Sequence, residues 1–332
     1  MARYLVTGGC GFIGSHLCSR LTAQGHRVRV LDDLSTGHVG NLAPGAELVI
    51  GDVADDLTVR DAMAQMDGCF HLAAIASVER GVRDWIGTHR TNLSGTIATF
   101  EAARQEGEAR GTKLPIVYAS SAAVYGDPAC LPVEETTPTR PLSAYGADKL
   151  GCELHARAGG EVHDLRTAGL RFFNVFGPRQ DPRSPYSGVV SIFCGRLSRG
   201  EPLTIHGDGG QTRDFVHVSD VVSALIAALA GASRQAPILN VCTGRATSVR
   251  DLALLLGAAW GQRPDLRQGP PRSGEIRDSV GSRAYAAARL GLSDPMPLEA
   301  GLQDLVDWFR AGQPSLAPDE TTPRRTLEHA QP

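Results

Sequence analysis

A run of glycines directly after a short apolar segment constrains this chain more than any other feature. Residues 3–7 are mostly apolar and predict a buried parallel strand, and Gly8-Gly9-Cys10-Gly11-Phe12-Ile13-Gly14 follows at once. A helical pattern then runs from Phe12 to about Gln24. This order of strand, glycine-rich turn and helix predicts a dinucleotide site, because glycines let the backbone approach a pyrophosphate at the helix N-terminus.

The next predicted strand indicates which dinucleotide binds. It covers Arg27–Leu31 and ends at Asp32-Asp33. A carboxylate at this point accepts hydrogen bonds from both ribose hydroxyls of adenosine and repels a 2′-phosphate. No arginine stands beside Asp32, so the sequence favours NAD over NADP.

Strands and helices alternate through the first half of the chain. Further strands are predicted at 48–50, 69–73, 113–119 and 167–172, with helices at 55–66, 84–105 and 144–157. This alternation predicts an α/β fold with a Rossmann-like, doubly wound parallel sheet, which binds ligands at the carboxyl ends of its strands. One site is therefore predicted beside the residues that lie at or just past such ends, Asp32, Asp52, Ala73, Ser121 and Asn174.

The regular alternation stops after Asn174. The loop from Gly177 to Pro185 is rich in turn residues and charge, and the elements beyond it are shorter. We predict a Rossmann domain at 1–174, to which 216–241 return, and a smaller α/β substrate-binding lobe at 175–215 and 242–313. Residues 314–332 contain several prolines and few apolar side chains, which predicts a disordered tail.

Charge and cysteine usage exclude several function classes. The chain has 332 residues and a formal net charge of −3, which gives no electrostatic reason to expect nucleic acid or membrane binding. No apolar run reaches the ~18 residues of a membrane span. The seven cysteines are scattered without a Cys-x-x-Cys pair, so we expect no metal site, no disulfide framework, and reduced thiols in a cytoplasm.

A possible proton-transfer pair lies at Tyr145 and Lys149. Their spacing of four residues puts both side chains on one face of a helix. An ammonium group close to a phenol favours the phenolate, which can remove a proton from a sugar or alcohol hydroxyl. The same spacing also occurs on ordinary exposed helix faces, so the pair alone leaves both interpretations open.

Taken together, these residues resemble the extended short-chain dehydrogenase/reductases, and within them the nucleotide-sugar 4-epimerases. The resemblance covers about residues 3–310. It is carried by the motifs at 7–14, 31–37, 51–53, 71–74, 91–96, 120–126, 145–149, 171–174 and 213–218.

The resemblance implies a cofactor role for many residues. NAD would be bound by Gly8, Gly11, Phe12, Ile13, Gly14, Asp32, Asp33, Ser35, Thr36, Gly37, Asp52, Val53, Leu72, Ala73, Ala74, Asn92, Tyr145, Lys149 and Phe173. Within this set, the glycine-rich turn would hold the pyrophosphate and Asp32 the adenosine ribose.

The resemblance also implies catalytic and substrate residues. Tyr145 would be the base, Lys149 its cationic partner, and Ser121 the hydroxyl that bonds the reacting sugar oxygen. The nucleotide-sugar, a UDP-sugar, would be held by Ser121, Tyr145, Asn174, Val189, His206, Arg213, Arg272 and Ser279. An arginine suits this role because its guanidinium pairs bidentately with a diphosphate. The enzymes of this kind are homodimers, so helices 84–105 and 144–157 are expected to form an interface.

The reaction itself depends on a few positions. Related 4,6-dehydratases place an Asp-Glu pair where this chain has Ala122-Ala123, and a methyl group cannot protonate a leaving hydroxyl. We therefore expect 4-epimerisation, with another nucleotide-sugar oxidoreductase, such as a reductase or a 3- or 5-epimerase, as the alternative. A non-catalytic NAD-binding regulator is the least favoured reading, because such proteins typically lose the tyrosine or the lysine.

The identity of the sugar stays open between two pairs. In the resembling enzymes a bulky residue at the position of Ser279 excludes an N-acetyl group, whereas serine leaves room for one. The segment Arg179-Gln180-Asp181-Pro182 also resembles enzymes that act on N-acetylhexosamines. UDP-Glc/UDP-Gal and UDP-GlcNAc/UDP-GalNAc are therefore both retained.

Overall fold

The computed structural model describes residues 1–76, 78–182, 188–271 and 276–312. Its strands are β1 Arg3–Thr7, β2 Arg27–Asp32, β3 Glu47–Ile50, β4 Gly68–His71, β5 Pro115–Ser121, β6 Arg166–Phe172, β7 Asn174–Phe176, β8 Leu203–His206, β9 Thr212–Arg213, β10 Phe215–His217, β11 Ile238–Val241, β12 Thr247–Ser248, β13 Leu266–Gly269 and β14 Asp278–Ser279. Its α-helices are α1 Phe12–Ala23, α2 Asp56–Met63, α3 Val78–Arg83, α4 Trp85–His89, α5 Gly95–Ala109, α6 Ala144–His163, α7 Val189–Leu197, α8 Val218–Gly231, α9 Val249–Trp260, α10 Ala284–Leu290 and α11 Leu298–Arg310.

Seven parallel strands form the main sheet, in the order β11-β6-β5-β4-β1-β2-β3. The order reverses at β1, so the crevice beyond the carboxyl ends of β1 and β4 is the expected ligand position. The prediction of a Rossmann-like, doubly wound parallel sheet is confirmed. Strand β11 joins this sheet beside β6 although residues 173–237 lie between the two strands in the sequence.

Helices cover both faces of the sheet and complete two layers of core. On one face α1 and α8 bury side chains such as Leu17 and Leu225, and on the other α2, α5 and α6 bury Met63, Phe100 and Cys152. Burial on both faces explains why the strands read as continuous apolar runs rather than as alternating patterns. Within the described ranges, no helix is long and apolar enough to cross a bilayer.

A smaller lobe packs beside the carboxyl ends of the strands. Helices α7, α9 and α11 surround β8 and β10 and share a separate apolar core that includes Phe193, Leu252 and Leu302. Asp214 links this lobe to the main sheet: its buried carboxylate accepts hydrogen bonds from the amides of Thr243, Gly244 and Gly281. Burial raises the pKa of Asp214. The tail predicted at 314–332 and part of the loop from Gly177 to Pro185 lie outside the described residues.

The long helix predicted at 84–105 is divided in the structure. Helix α4 is followed by a π-helical turn, Arg90–Ser94, before α5 begins. Within this turn, the backbone carbonyl of Asn92 accepts hydrogen bonds from Thr96 Oγ1 at 2.6 Å and from Cys152 Sγ at 3.3 Å. Side chains of α5 and α6 therefore bond the carbonyl in this wider, π-helical turn. The periodicity of the sequence does not predict where such a turn occurs.

Candidate active site

The glycine-rich turn packs too closely on neighbouring backbone to accommodate side chains. A Cβ on Gly14 would lie 2.1 Å from the carbonyl oxygen of Gly8, and a Cβ on Gly8 would lie 2.8 Å from the amide nitrogen of Ala73. Gly8 also has φ of +70°, which favours glycine. The amides of the first turn of α1 lack partners within the helix, so this cradle suits a pyrophosphate.

Asp32 couples the end of β2 to the glycine-rich turn. One of its carboxylate oxygens accepts from the amide of Cys10 at 2.9 Å, and the other accepts from the amide of Leu34 at 2.9 Å. The residue is only 6% exposed, and burial raises its pKa despite these bonds. Each oxygen keeps a further lone pair, so the carboxylate can receive ribose hydroxyls where the cavity reaches it.

One cavity of about 650 Å³ joins the glycine-rich turn to the Tyr–Lys pair. That size is ordinary for a site that binds a cofactor together with a substrate group. The predicted residues in its wall are Gly8, Gly11, Phe12, Ile13, Gly14, Asp32, Asp33, Ser35, Thr36, Gly37, Asp52, Val53, Leu72, Ala73, Ala74, Ser121, Tyr145, Lys149, Phe173 and Asn174. The cradle, the Asp32 carboxylate and the apolar segment at 72–74 line one cavity whose chemistry fits an extended NAD molecule.

Asn92 has a different place from the one predicted. Its side chain is fully buried and brackets Ile75, accepting from the amide at 2.7 Å and donating to the carbonyl at 3.1 Å. Ile75 lies in the cavity wall, whereas Asn92 does not. Asn92 therefore shapes the loop after β4 and holds it in position, rather than lining the cavity itself.

Tyr145 and Lys149 lie on one face of α6 at the inner end of the cavity. The hydroxyl of Ser143 accepts from the amide of Gly146 and caps the helix, which fixes where α6 begins. The Nζ of Lys149 lies 5.9 Å from the centre of the Tyr145 ring and donates to the carbonyl of Ala119 at 2.9 Å. Lys149 is 2% exposed, so its charge acts on the phenol with little screening by water.

His71 adds no second charge to this region. Its ring is buried at the end of β4 and hydrogen-bonds with the hydroxyls of Thr7 at 2.8 Å and Thr96 at 3.0 Å. Burial, followed by the nearby charge of Lys149, lowers the pKa of His71 to about 3. The imidazole is therefore neutral at pH 7, and Lys149 is the cation that acts on Tyr145 from this side.

Ser121 ends strand β5 and faces the same cavity. Its hydroxyl oxygen accepts from the amide of Ala123 at 3.1 Å and so caps the short 3₁₀ turn that follows. Because the hydroxyl accepts in this bond, its own hydrogen remains to be donated to a ligand oxygen. Ala122 and Ala123 supply no acid beside it.

The predicted substrate residues fall into two groups. Asn174 lies in the cavity wall, and its backbone amide donates to the backbone carbonyl of Asp214. Arg213 and Ser279 pair in neighbouring short strands, and the Arg213 guanidinium donates to the carbonyl of Arg277. The wall formed by the described residues does not include four of the predicted residues, Val189, His206, Arg213 and Ser279. Arg272 is not among the described residues.

Several cavity residues were not predicted as site residues from the sequence. Arg80 on α3 and Arg90 in the π-helical turn line the wall, and Arg90 lies 3.4 Å from the Asp52 carboxylate. Arg179 and Gln180 also line it, although the sequence marked their segment only as a resemblance in sugar choice. No local spacing connects these residues to the glycine-rich turn, because the cavity brings them together across elements that are distant in the sequence.

A doubly wound sheet whose cavity joins a pyrophosphate cradle to a Tyr–Lys pair defines an NAD-dependent enzyme of the short-chain dehydrogenase/reductase class. The model of the NAD dependent epimerase/dehydratase family matches residues 4–242. The chain belongs to that family, and NAD is its cofactor.

Known relatives match nearly the whole chain. It is 39% identical to the UDP-glucose 4-epimerase of Mycolicibacterium smegmatis, over 93% of this chain and 98% of the relative. Among solved structures, the UDP-glucose 4-epimerase of Thermotoga maritima, bound to UDP-glucose, matches with a TM-score of 0.88, 36% identity, and 93% and 99% of the two chains. The UDP-N-acetylglucosamine 4-epimerase of Methanobrevibacter ruminantium, bound to UDP-N-acetylmuramic acid, matches with a TM-score of 0.86, 30% identity, and 94% and 99% of the two chains.

Replacing Asp32 with asparagine is expected to weaken NAD binding and to reduce discrimination against NADP. A hydrogen bond to a charged group contributes about 1.5–3 kcal/mol, so affinity should fall roughly 10-fold or more. Equilibrium binding of NAD and of NADP to cofactor-depleted protein measures both effects. The matched control is Asp265→Asn, because Asp265 pairs with Arg267 at the surface and lies outside the cavity wall. Equal losses in the two variants would contradict a special role for Asp32.

Proposed function

We propose that this protein interconverts two UDP-sugars that differ in configuration at C4 of the sugar. The observation that carries the proposal is the joint placement of Ser121, Tyr145 and Lys149 at one end of the NAD cavity, with alanines at 122 and 123. The cavity thus offers one base and one hydroxyl donor for a sugar hydroxyl, and no second acid at the dehydratase position. The 4-epimerase relatives support the same reaction.

The chain's own residues manage the proton of the sugar C4 hydroxyl. The phenolate of Tyr145 accepts this proton, and the buried Lys149 ammonium stabilises the negative charge on the phenolate oxygen. Ser121 donates a hydrogen bond to the same sugar oxygen, which orients C4. Bound NAD supplies reversible hydride acceptance, so that C4 can be oxidised to a ketone and then reduced from its other face. Tyr145 then returns the proton to the new hydroxyl.

The smaller lobe is proposed to hold the nucleotide diphosphate while the sugar turns over. The elements β7, α7, β8 and β9 carry Asn174, Val189, His206 and Arg213 in turn, and β7 begins directly after the carboxyl end of β6. His206 on β8 pairs with Gly269 on β13, and Gly269 is three positions before Arg272 in the sequence. Guanidinium groups on this side suit a multivalent anion.

The sugar is proposed to be one of two pairs, UDP-Glc/UDP-Gal or UDP-GlcNAc/UDP-GalNAc. Ser279 is the residue expected to face the sugar substituent at C2, and its small side chain suits either pair. The relatives include both a UDP-glucose and a UDP-N-acetylglucosamine 4-epimerase. The choice between the pairs is therefore left to the assay.

The deciding experiment incubates the purified protein with UDP-galactose and, separately, with UDP-GalNAc, without added NAD. C4-inverted product, followed by NMR, is the expected result, and the ratio of the two rates gives the preferred pair. Absence of inversion in both samples, while NAD is bound in stoichiometric amount, would overturn the proposal in favour of a reductase or of a 3- or 5-epimerase.

We propose in addition that the protein is a homodimer built on α5 and α6. These helices pack side by side, and Ile97 on α5 and Leu154 on α6 are 37% and 59% exposed. Apolar side chains on adjacent exposed helices suit an isologous interface between two copies. Leu154→Arg is expected to convert the dimer to monomer in light scattering, whereas Leu254→Arg, at a residue 48% exposed on α9, should leave it intact. A dimer that survives the first change would contradict this interface.

We also infer a cytoplasmic location. All seven cysteines are unpaired thiols, and six of them are buried. Free thiols in this number suit a reducing compartment. Fractionation of the source cells should place the protein with the cytoplasmic markers.

A further inference from the structure

An ion pair is buried directly behind the proposed catalytic residues. Arg171 on β6 donates to both carboxylate oxygens of Glu153 on α6, from Nε at 2.8 Å and from Nη2 at 2.6 Å. Both side chains are only 6% exposed. Neither residue lies in the cavity wall, so the pair does not touch cofactor or substrate.

The pair anchors the chain on both sides of Ser121. Just before it, the hydroxyl of Ser120 donates to Glu153 Oε1 at 2.5 Å. At the last residue of the 3₁₀ turn, the hydroxyl of Tyr125 accepts from Arg171 Nη1 at 2.8 Å, and the guanidinium carbon lies 4.7 Å from the centre of the Tyr125 ring. The position of the Ser121 hydroxyl is thereby fixed by its neighbours on each side.

The same helix face carries the other catalytic groups. Tyr145, Lys149 and Glu153 follow each other at intervals of four residues on α6, so their side chains lie in one row. Lys149 bonds the carbonyl of Ala119, and Glu153 bonds the hydroxyl of Ser120. Two successive side chains of the row therefore bind two successive residues of β5. Such a match sets the register of α6 along the strand that ends at Ser121.

The cluster continues to the smaller lobe. The hydroxyl of Tyr125 donates to Asn240 Oδ1 at 2.6 Å, and the side-chain amide of Asn240 donates to the carbonyl of Val133 at 3.1 Å. The amide of Val133 in turn donates to the carbonyl of Val280, the neighbour of Ser279. One set of hydrogen bonds thus runs from α6 to Val280, the residue next to the one expected beside the sugar.

Stability alone does not account for such a pair. Removing two charges from water costs several kcal/mol per ion, and well-packed apolar residues of similar volume often replace a buried ion pair without loss of stability. A directional pair, in contrast, holds two elements at one relative position, which an apolar contact does not.

We propose that the Glu153–Arg171 pair positions Ser121 relative to Tyr145 and Lys149 for proton transfer. This inference rests on the proposed function, because it assigns the pair to that reaction. Glu153 and Arg171 are positioning residues: they act through the end of β5 and through the row on α6.

The test compares the double variant Glu153→Met/Arg171→Met with the wild type. We expect kcat for C4 inversion to fall roughly 10- to 100-fold, since misplacement of about 1 Å is enough for such a loss. We also expect unchanged KM, unchanged bound NAD, and a midpoint of urea unfolding at or above that of the wild type. The single variant Arg171→Lys, which keeps Glu153, should have a kcat between those of the double variant and the wild type, because it retains one charged hydrogen bond.

Two further variants keep the inference open to refutation if the double variant does not fold. Tyr125→Phe removes only the hydroxyl that accepts from Arg171, and should lower kcat about 3- to 10-fold at constant KM. Arg29→Met removes a half-exposed ion pair with Glu47 and should leave kcat unchanged. If kcat of the double variant and of Tyr125→Phe equals that of the wild type, the pair is only structural. If the wild type itself inverts no sugar, the proposed function fails instead.

Discussion

Replacing Tyr145 with phenylalanine is expected to lower the rate of C4 inversion by about 100- to 10,000-fold, the range by which general acid–base catalysis accelerates such steps. The change removes one oxygen and keeps the ring, so α6 and its contact with Lys149 should persist. Bound NAD and the unfolding midpoint should therefore stay at the wild-type values. The rate is measured by NMR on UDP-galactose and UDP-GalNAc, with protein concentration corrected for bound NAD.

Tyr285→Phe is the matched control for this experiment. Tyr285 lies on α10, is 48% exposed and is outside the cavity wall, so the loss of its hydroxyl should leave the rate unchanged. A Tyr145→Phe variant that retains more than about a tenth of the wild-type rate would exclude Tyr145 as the base, because general-base catalysis contributes at least about 100-fold.

Replacing Gly14 with alanine is expected to abolish NAD binding. The new methyl carbon would lie 2.1 Å from the carbonyl oxygen of Gly8. That atom belongs to the backbone of the cradle and cannot move aside as a flexible side chain can, so the glycine-rich turn must open. The measurement is the amount of NAD released from the denatured protein per chain, together with circular dichroism of the native protein.

Two other glycines separate this effect from a general intolerance to alanine. A Cβ on Gly11 would approach the same oxygen only to 3.2 Å, so Gly11→Ala should lose less NAD than Gly14→Ala. A Cβ on Gly231, at the end of α8, meets no heavy atom within 4 Å, so Gly231→Ala should bind NAD fully. Stoichiometric NAD in Gly14→Ala would mean that the cradle does not hold the pyrophosphate as described.

The cofactor half of the site was predictable because its chemistry depends on residues that are close in the sequence. A strand, a glycine-rich turn and a helix occupy residues 3–23 in the structure, as the apolar pattern predicted. Asp32 follows from the same reasoning, since the position of a carboxylate at the end of a strand can be counted along the chain. The spacing of Tyr145 and Lys149 on one helix face is equally local.

Other parts of the cavity were less predictable, because they depend on how distant elements pack. Arg90 lies in the cavity wall on the π-helical turn between α4 and α5. Arg179 lies in the wall on the loop after β7, where its guanidinium donates to Ser19 on α1. The resemblance implied that Asn92 binds NAD, but its side chain bonds the backbone of Ile75 instead and does not line the cavity.

The sequence by itself determined the sheet type, the glycine-rich cradle, the Asp32 carboxylate at the end of β2 and the Tyr–Lys spacing on α6, because each is a pattern within one element or across one turn. Only the tertiary structure decided that Glu153 and Arg171 meet behind Ser121, since they are 18 positions apart on two different elements, α6 and β6. A bidentate pair forms only where packing brings the two side chains within about 3 Å at the correct angle. No periodicity along the chain encodes that geometry.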